Sequence, residues 1–335
     1  MSFPEGGDRH MHGLMKLCVV LALVTSVLPH RVSDVQEALV THEGMGPDKW
    51  ATAWLLKRFV RPGAPLHVVS AGSALPEGLA FDVPSSPYRR IGGRTAFESA
   101  RVAFADGNSR VEHFGRFIHD IEINFWGADE LAASSAMEQG FRALRRQHGR
   151  RPIPADCYLR FFDHAYALLN EGRVEADLTE ADFRVDCGGG DPNPPTSTAE
   201  VVELPVEQLL SELRSGKSVA FVDVREPDEF REAHLPRALN VPLRDLAPAL
   251  IRQLMGVDYV VSYCVKDFRG YEMALALSRA GIQRSAILRP FGIKGWVRSG
   301  LPVTQEGFSD DDAARALARC AAVPEACLRS EGDRR

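Results

Sequence analysis

The residues best suited to chemistry in this sequence lie in one short loop around Cys264. The loop follows an apolar segment, 259–263, that is typical of a buried strand, and a helical pattern begins five or six residues after the cysteine. A strand-to-helix loop directs backbone N–H groups and a helix N-terminus at one sulfur, which stabilises a thiolate and lowers the thiol pKa. Positive charge from Lys266 and Arg269 acts in the same direction.

Such a thiolate could attack the sulfur of a small anionic donor, and the same loop could hold the donor's oxyanion. A lone cysteine is usually inert core, but its place between two cations favours a catalytic role. We therefore predict that the catalytic residues are Cys264, Arg269 and Lys266. The rest of the active-site loop is Val265, Asp267, Phe268 and Gly270.

Three further polar residues stand where the predicted strand 219–224 meets its loop. They are Asp223, Arg225 and Glu226. We predict that they support the site as an ion-pair network that fixes the loop. The alternative is that Arg225 or Glu226 contacts the substrate.

The elements that must position these residues alternate between strand and helix. Apolar segments typical of strands occur at 219–224, 259–263 and 285–288, and helical patterns at 243–254 and 271–280. Alternation on this scale predicts an α/β domain with a parallel sheet flanked by helices. The preceding part of the chain is mainly helical, with patterns at 114–121, 129–147 and 155–170 and short extended segments at 66–70 and 81–83, which predicts a helix-rich α+β domain.

Residues 206–303 resemble a single rhodanese-homology domain. The resemblance is carried by Val-Asp-Val-Arg-Glu at 222–226, His-Leu-Pro at 234–236, the cysteine loop, Gly-Ile-Lys-Gly-Trp at 292–296 and Gly-Leu-Pro-Val at 300–303. It implies a sulfurtransferase in which Cys264 carries a persulfide between a sulfur donor, thiosulfate or a persulfide, and a thiol acceptor. No cofactor is required for that transfer.

Three positions depart from the usual pattern of that family. Asp267 and Phe291 stand where glycine is usual, and Gly270 where serine is usual. A carboxylate at 267 should weaken binding of a dianion such as thiosulfate. We therefore expect persulfide relay, or binding of another oxyanion, to survive the change better than transfer from thiosulfate.

The first domain carries imidazoles and carboxylates at the ends of its predicted elements. Such groups in one concavity could bind a divalent metal, or an oxyanion through a metal. The candidates are His42, Glu43, Asp48, Glu98, His119 and Asp120. The alternative is a buried hydrogen-bonded network that holds the fold together.

Residues 39–170 resemble the chromate-resistance domain that forms the C-terminal part of ChrB-type proteins. The shared motifs include Thr-His-Glu-Gly at 41–44, Phe-Asp-Val-Pro at 81–84 and Ile-His-Asp-Ile-Glu-Ile at 118–123. The resemblance implies a link to chromate or oxyanion stress. About 38 residues precede this domain, too few for the DNA-binding module of ChrB regulators, which disfavours a role as a transcription factor.

Composition limits the partners and the location. The 335 residues include 40 Lys and Arg against 45 Asp and Glu, so the net charge is −5 and no nucleic-acid partner is expected. Six cysteines without a CxxC pair are too sparse for a disulfide scaffold or a zinc ribbon.

The apolar run 17–28 is too short for a membrane span but resembles a signal peptide, or translated upstream sequence. A reactive thiol favours a reducing compartment and hence the cytoplasm, with export as the alternative.

The predicted organisation has five parts. They are a signal-like or mis-started segment at 1–36, the chromate-resistance-like domain at 37–186, a Gly/Pro linker at 187–198, the rhodanese domain at 199–308 and a helical, charged tail at 309–335. Two functions remain open at this point: a sulfurtransferase, and a non-catalytic sensor that binds an oxyanion or a metal.

Overall fold

The computed structural model describes residues 37–71, 73–124, 131–148, 152–188, 201–243 and 245–329. The signal-like segment, the linker beyond residue 188 and the last residues of the charged tail lie outside the described residues.

The first domain is a three-stranded parallel sheet, in the order β2-β1-β3, covered by helices. Its elements are β1 (Leu39–His42), α1 (Pro47–Leu55), β2 (Leu66–Val69), β3 (Leu79–Ala80), α2 (Ala96–Phe104), α3 (Ser109–Glu122), α4 (Ser134–His148) and α5 (Ala155–Asn170). A π-helical turn, Leu56–Val60, extends α1, and short 3-10 turns follow α5 at Glu175–Asp177 and Glu180–Phe183. Aromatic side chains fill the core, where Trp54 packs on Phe114 at 5.1 Å and Phe141 on Phe162 at 5.7 Å between ring centroids.

The second domain is built on a five-stranded parallel sheet in the order β4-β9-β8-β5-β7. Its elements are β4 (Val202–Pro205), α6 (Val206–Arg214), β5 (Val219–Asp223), α7 (Pro227–Glu232), β6 (Ala233–His234), β7 (Leu239–Asn240), α8 (Pro248–Leu254), β8 (Tyr259–Tyr263), α9 (Phe268–Arg279), β9 (Ser285–Arg289), α10 (Gly292–Arg298), β10 (Thr304–Gln305) and α11 (Asp310–Ala322). Strands β6 and β10 pair antiparallel in a separate two-stranded sheet.

The position of β8 explains its sequence. All five of its residues are buried because it lies at the centre of the sheet with helices on both faces, so it has no polar alternation. Its carboxyl end delivers Cys264 into the loop before α9. The predicted fold class, a helix-rich α+β domain followed by an α/β domain with a parallel sheet, is confirmed.

Several predicted elements have different limits. The helix expected at 243–254 spans only Pro248–Leu254, because proline occupies its first turn and begins the helix there. The pattern at 129–147 forms a helix from Ser134 onward. The extended segment expected at 81–83 is a turn after β3, where Asp82 adopts a positive φ of 46°.

Two disulfides, which the sparse cysteine content did not predict, close the ends of the two domains. Cys157 in α5 is bonded to Cys187, and Cys320 in α11 to Cys327, with Cα–Cα distances of 5.5 and 5.4 Å. Among the described residues, Cys264 is the free cysteine. Within the same ranges, none of the helices is both long and apolar enough to cross a membrane.

Candidate functional site

The Cys264 loop is held from below by the start of α10. The N–H of Ile293 donates to the carbonyl of Cys264 at 2.9 Å, and that of Lys294 to the carbonyl of Val265 at 3.1 Å. Gly292 permits this approach because its φ is +64° and a Cβ there would lie 2.6 Å from the Cys264 carbonyl oxygen. The Gly-Ile-Lys-Gly-Trp motif therefore fixes the backbone of the loop.

Gly270 fixes the other side of the loop. A Cβ at this position would lie 2.9 Å from Cα of Tyr263, so α9 packs directly on the end of β8. The packing brings the Gly270 N–H to the sulfur of Cys264, where it favours the thiolate. Of the backbone donors expected around the sulfur, this is the one whose effect the structure identifies.

The thiol of Cys264 is buried, with 2% of its residue surface exposed. Burial raises the pKa of Cys264, and nearby negative charge from Glu122 and Asp267 acts in the same direction. Arg269 and the Gly270 N–H oppose the rise without cancelling it. The expectation of a lowered thiol pKa is therefore wrong for this closed arrangement, because the loss of water around the sulfur outweighs the loop's donors.

Arg269 is paired inside its own domain. Its two terminal nitrogens donate to Glu229 at 3.1 and 3.2 Å, in the fork-to-fork geometry that suits a guanidinium and a carboxylate. Burial alone would favour the neutral carboxyl, but Arg269 and Arg90 lower the pKa of Glu229 to about 2. The Nε–H of Arg269 is buried and has no hydrogen-bond acceptor within the described part of the chain.

The three supporting residues occupy two different environments. Asp223 and Arg225 form a buried ion pair at 2.7 Å, and Arg225 also donates to the Ala233 carbonyl at 2.5 Å. Glu226 lies at the start of α7, where its N–H donates to Glu229 at 3.1 Å. Burial raises the pKa of the Glu226 carboxyl, which lines an open cleft. The geometry thus gives the first two a structural contact, while the third caps the start of α7 and lines the cleft.

Helix α4 of the first domain covers the outer part of the loop, Lys266 to Phe268. The ammonium of Lys266 donates to Glu138, and Arg142, one turn further along α4, donates to both Glu138 and Asp267. Asp267 is only 1% exposed, and Arg145 Nη1 lies 3.8 Å from its second oxygen. Its carboxylate therefore faces cations of the first domain, and the expected repulsion of an anionic donor is offset by them.

Apolar and backbone contacts extend this interface. Phe268 packs on Phe141 at 5.6 Å and lies under the guanidinium of Arg142, 4.3 Å from its ring centroid. Phe291 lies 4.6 Å from the same guanidinium carbon. Two of the three departures from the family pattern, at positions 267 and 291, thus contact Arg142, which gives them a physical reason.

A second contact joins the domains beside the loop. The carboxylate of Glu272 in α9 accepts hydrogen bonds from the N–H groups of Met45 and Gly46, the latter at 3.0 Å. These groups precede α1, so Glu272 also stabilises the positive end of that helix. The first domain therefore contacts the second at two places, through α4 at the loop and through the residues before α1 at α9.

A cleft of about 200 Å³ opens between the two domains next to this loop. The first domain contributes Gly46, Asp48, Lys49, Asp82, Val83, Pro84, Arg89, Arg90 and Glu122, and the second contributes Glu226, Pro242, Leu243, Asp245, Arg269 and Glu272. Charged groups of both signs converge there and could fix the orientation of a small polar ligand.

Three of the proposed metal ligands stabilise helix N-termini. Asp48 accepts hydrogen bonds from the N–H groups of Ala96 and Phe97 at 2.8 and 2.9 Å, which begin α2. Glu98 closes the capping box of the same helix. Asp120 accepts from the Ser134 hydroxyl at 2.6 Å, at the start of α4. Burial raises the pKa of Asp48 to about 7, against the effect of Arg90.

The other three candidates lie in different contacts. His119 Nδ1 is 3.1 Å from Glu98, His42 Nε2 is 2.9 Å from the Ser73 carbonyl, and Glu43 is 3.5 Å from Arg279 of the second domain. Over the residues the structure describes, no group of three His, Cys, Asp or Glu side chains is placed to hold a metal ion. The contacts favour the alternative of a hydrogen-bonded network.

Several residues of the site were not predicted. Glu229 lies between the motifs at 222–226 and 234–236 that carry the rhodanese resemblance, three residues after Glu226, and could have been found there. Glu138 and Arg142 are an ordinary i,i+4 pair on a helix, and nothing in their spacing indicates that they face the cysteine loop. Arg90, which lines the cleft, likewise carries no sequence signal, and Glu122 lies in the quoted motif 118–123 without any indication there that it faces the cysteine loop.

Comparison with known proteins supports both resemblances. Residues 39–184 match the ChrB C-terminal domain, and residues 206–299 match the Rhodanese-like domain. A sulfurtransferase of Allochromatium vinosum is 34% identical over 103 residues, covering 31% of this chain and 94% of that relative.

Two further relatives match over a smaller share of this chain or of their own length. A thiosulfate:glutathione sulfurtransferase of Saccharomyces cerevisiae is 30% identical over 95 residues, covering 25% of this chain and 68% of the relative. Protein ChrB of Cupriavidus metallidurans is 27% identical over 109 residues, covering 32% of this chain and 33% of the relative.

Proposed function

Because the chain belongs to the rhodanese-like family and joins that domain to a ChrB C-terminal domain, we propose that it is a sulfurtransferase linked to chromate resistance. In this proposal Cys264 is the sulfur carrier, Arg269 is its cationic partner, and the first domain forms one wall of the site. A small sulfur donor and a thiol acceptor are the substrates.

One observation carries the proposal. A free cysteine lies at the end of the central strand, beside a guanidinium whose buried Nε–H has no acceptor among the described residues. A buried donor without a partner is costly unless a ligand or a charged form of a neighbour satisfies it. The sulfur of Cys264, as thiolate or persulfide, is the anionic group that would accept from it, and the charged form of this sulfur interacts favourably with Arg269.

The transfer consists of two displacements. The Cys264 thiolate attacks the outer sulfur of the donor, a new S–S bond forms, and the donor's remaining group leaves with the electron pair of the broken bond. The acceptor thiolate then attacks the terminal sulfur of the Cys264 persulfide, and the Cys264 thiolate leaves. The acceptor becomes a persulfide, and the protein returns to its starting state without a cofactor.

The buried thiol limits the size of both substrates. Cys264 is 2% exposed, α4 of the first domain contacts the neighbouring residues Lys266 to Phe268, and the adjoining cleft holds only about 200 Å³. We therefore propose small-molecule donors and acceptors that enter through the cleft, and no protein acceptor while the domains are docked.

The test is mass spectrometry of the full chain after incubation with thiosulfate or with a low-molecular-weight persulfide. The expected product is an adduct of about 32 Da on Cys264, which disappears on addition of a thiol. Cys264→Ser is the control and should show no adduct. Absence of the adduct with both donors would contradict the proposal.

The alternative function is a non-catalytic sensor of an oxyanion or a metal. The coverage of the loop by the first domain favours it, since Lys266 and Asp267 are already bound to Glu138 and Arg142. Titration calorimetry with chromate distinguishes the two: binding without any sulfur adduct supports the sensor. Elemental analysis of protein purified without chelator tests the proposed divalent metal in the same domain.

The disulfides bear on the compartment. Bonds such as Cys157–Cys187 persist in oxidising compartments and are rare in the cytosol. They therefore favour export over the cytoplasmic location that a reactive thiol suggests. Cell fractionation followed by thiol labelling under non-reducing conditions tests this. We expect the protein in the exported fraction, with Cys157, Cys187, Cys320 and Cys327 unlabelled because they are disulfide-bonded.

A further inference from the structure

Four charged side chains form a continuous path across the domain boundary. Arg90 Nη2 donates to Glu122, at the end of α3, at 2.9 Å, and Arg90 Nη1 lies 3.9 Å from Oε1 of Glu229 in the second domain. Glu229 in turn binds Arg269 beside Cys264. Each of the four is at most 8% exposed. We refer to Glu122, Arg90, Glu229 and Arg269 as the buried charge path.

We propose that Arg90 and Glu122 are positioning residues of the sulfurtransferase site, supplied by the first domain, and that they set the reactivity of the Cys264 thiol. Arg90 neutralises Glu122 and shares Glu229 with Arg269. It thereby decides how much uncompensated negative charge faces the sulfur. The inference rests on the proposed function for its biological meaning, but thiol reactivity can be measured without any sulfur donor.

The charges around the thiol come from both domains, and their signs differ. Arg269 favours the thiolate, whereas Glu122 and Asp267 disfavour it. Each carboxylate has a cationic partner in the first domain, because Arg90 binds Glu122 and Arg142 binds Asp267. The groups packed around the path complete the set, and they are Asp48 beside Arg90, Glu226 in the cleft, and Glu138 and Arg145 beside Asp267.

This arrangement gives opposite signs for two substitutions. Glu122→Gln removes a negative charge that acts on Cys264 while keeping the shape of the side chain, so it should favour the thiolate. Arg90→Met leaves Glu122 without its cation and removes one of the three guanidinium groups that act on Glu229, so it should disfavour the thiolate. A residue that only held the domains together would not produce opposite signs.

The experiment is the rate of Cys264 alkylation by iodoacetamide in the full chain between pH 6 and 10, read by peptide mass spectrometry. Below the thiol pKa, a shift of about half to one pH unit in the midpoint changes the rate about three- to tenfold. Glu122→Gln should be faster than the wild type by this factor at pH 7.5, and Arg90→Met slower. Arg90→Lys keeps the charge and should lie between Arg90→Met and the wild type.

The control is Asp163→Asn, which breaks an ion pair with Arg58 elsewhere in the first domain and should leave the midpoint unchanged. Simple opening of the interface would raise the plateau rate and, by letting water reach the buried thiol, lower the midpoint in both variants, so it would not produce opposite shifts. Midpoints that do not move, or that move in the same direction for Glu122→Gln and Arg90→Met, overturn the inference. If Arg90→Met does not fold, an unchanged midpoint in Glu122→Gln is sufficient to overturn it.

Discussion

Lys266 and Arg269 are cations three residues apart in one loop, but their partners lie in different domains. Arg269 pairs with Glu229, which belongs to the same rhodanese-like domain. Lys266 pairs with Glu138, on α4 of the first domain. The inner side of the loop, at Arg269, therefore follows its family's pattern and pairs within its own domain, whereas the outer side, Lys266 to Phe268, contacts the first domain.

The difference assigns separate tasks to the two sides of the loop. The inner side keeps a guanidinium with a buried, unaccepted Nε–H near the thiol, and this holds for the part of the chain that the structure describes. The outer side uses its charges and the Phe268 ring to dock the first domain. A charged side chain in the loop therefore does not by itself indicate donor binding. Whether it faces the thiol or the first domain determines its role.

The docking role of the outer side predicts the largest effect. Arg142→Met leaves Asp267 buried without its main cation, and breaking a buried ion pair on one side costs about 3–5 kcal/mol. We expect the free energy of unfolding in denaturant titrations to fall by that amount, or the transition to split in two. Arg145→Met is the control, because its nitrogen lies 3.8 Å from the carboxylate, and it should cost much less. Equal losses in the two variants would show that Arg142 has no special part.

The catalytic role of the inner side predicts a difference in rate. Arg269→Met should slow persulfide formation on Cys264 about 10²–10³-fold, the usual loss when one stabilising donor of a reaction site is removed. Lys266→Met should slow it less than about threefold, since its ammonium is bound to Glu138. Rapid-mixing experiments with a persulfide donor measure both. Similar losses in the two variants would remove the distinction between the sides of the loop.

The Glu229–Arg269 pair also predicts how stability depends on pH. The pKa of Glu229 falls from 4.5 to about 2 on folding, so the pair stabilises the protein above about pH 4.5 and loses that contribution as the pH falls towards 2. The contribution is on the order of 3 kcal/mol. Glu229→Gln should therefore lower the unfolding free energy at pH 7 and flatten its decline in acid.

The matched control is Glu180→Gln. Glu180 also has a lowered pKa, but its partners Arg146 and Arg184 lie in exposed pairs on the surface. Its replacement should leave the acid profile nearly unchanged. An equal flattening by both substitutions would argue against a special contribution from the buried pair.

The sequence could predict what each domain encodes locally. The strand that ends at Cys264 and the parallel sheet followed from apolar runs alternating with helical patterns, and the loop residues followed from a motif whose parts contact one another within one domain. The contacts of Glu138, Arg142, Arg90 and Glu122 at the site could not be predicted, because they join segments about 30 to 140 residues apart.

The burial of the thiol escaped prediction for the same reason. A loop beside a helix N-terminus suggests a lowered thiol pKa, but the burial of Cys264 in the folded protein excludes water and raises the pKa instead. Likewise, Asp48, Glu98 and Asp120 suggested metal ligation, while the structure uses them at the starts of helices. Side-chain type indicates available chemistry, and only the tertiary contacts show which of it is already satisfied.

Asp267 gives the smallest expected effect and the sharpest test of the outer side. Judged from the sequence, its carboxylate lies beside the donor's path, so its removal should increase activity towards thiosulfate. In the structure it is 1% exposed and bound to Arg142, so its charge is largely compensated before any donor arrives. We expect Asp267→Asn, which keeps an oxygen acceptor for Arg142, to change kcat/KM for thiosulfate by less than about threefold, since partly compensated charges differ little in their effect on a third. Steady-state assays at two salt concentrations measure this, and a tenfold increase that weakens with salt would show that the carboxylate acts on the donor after all.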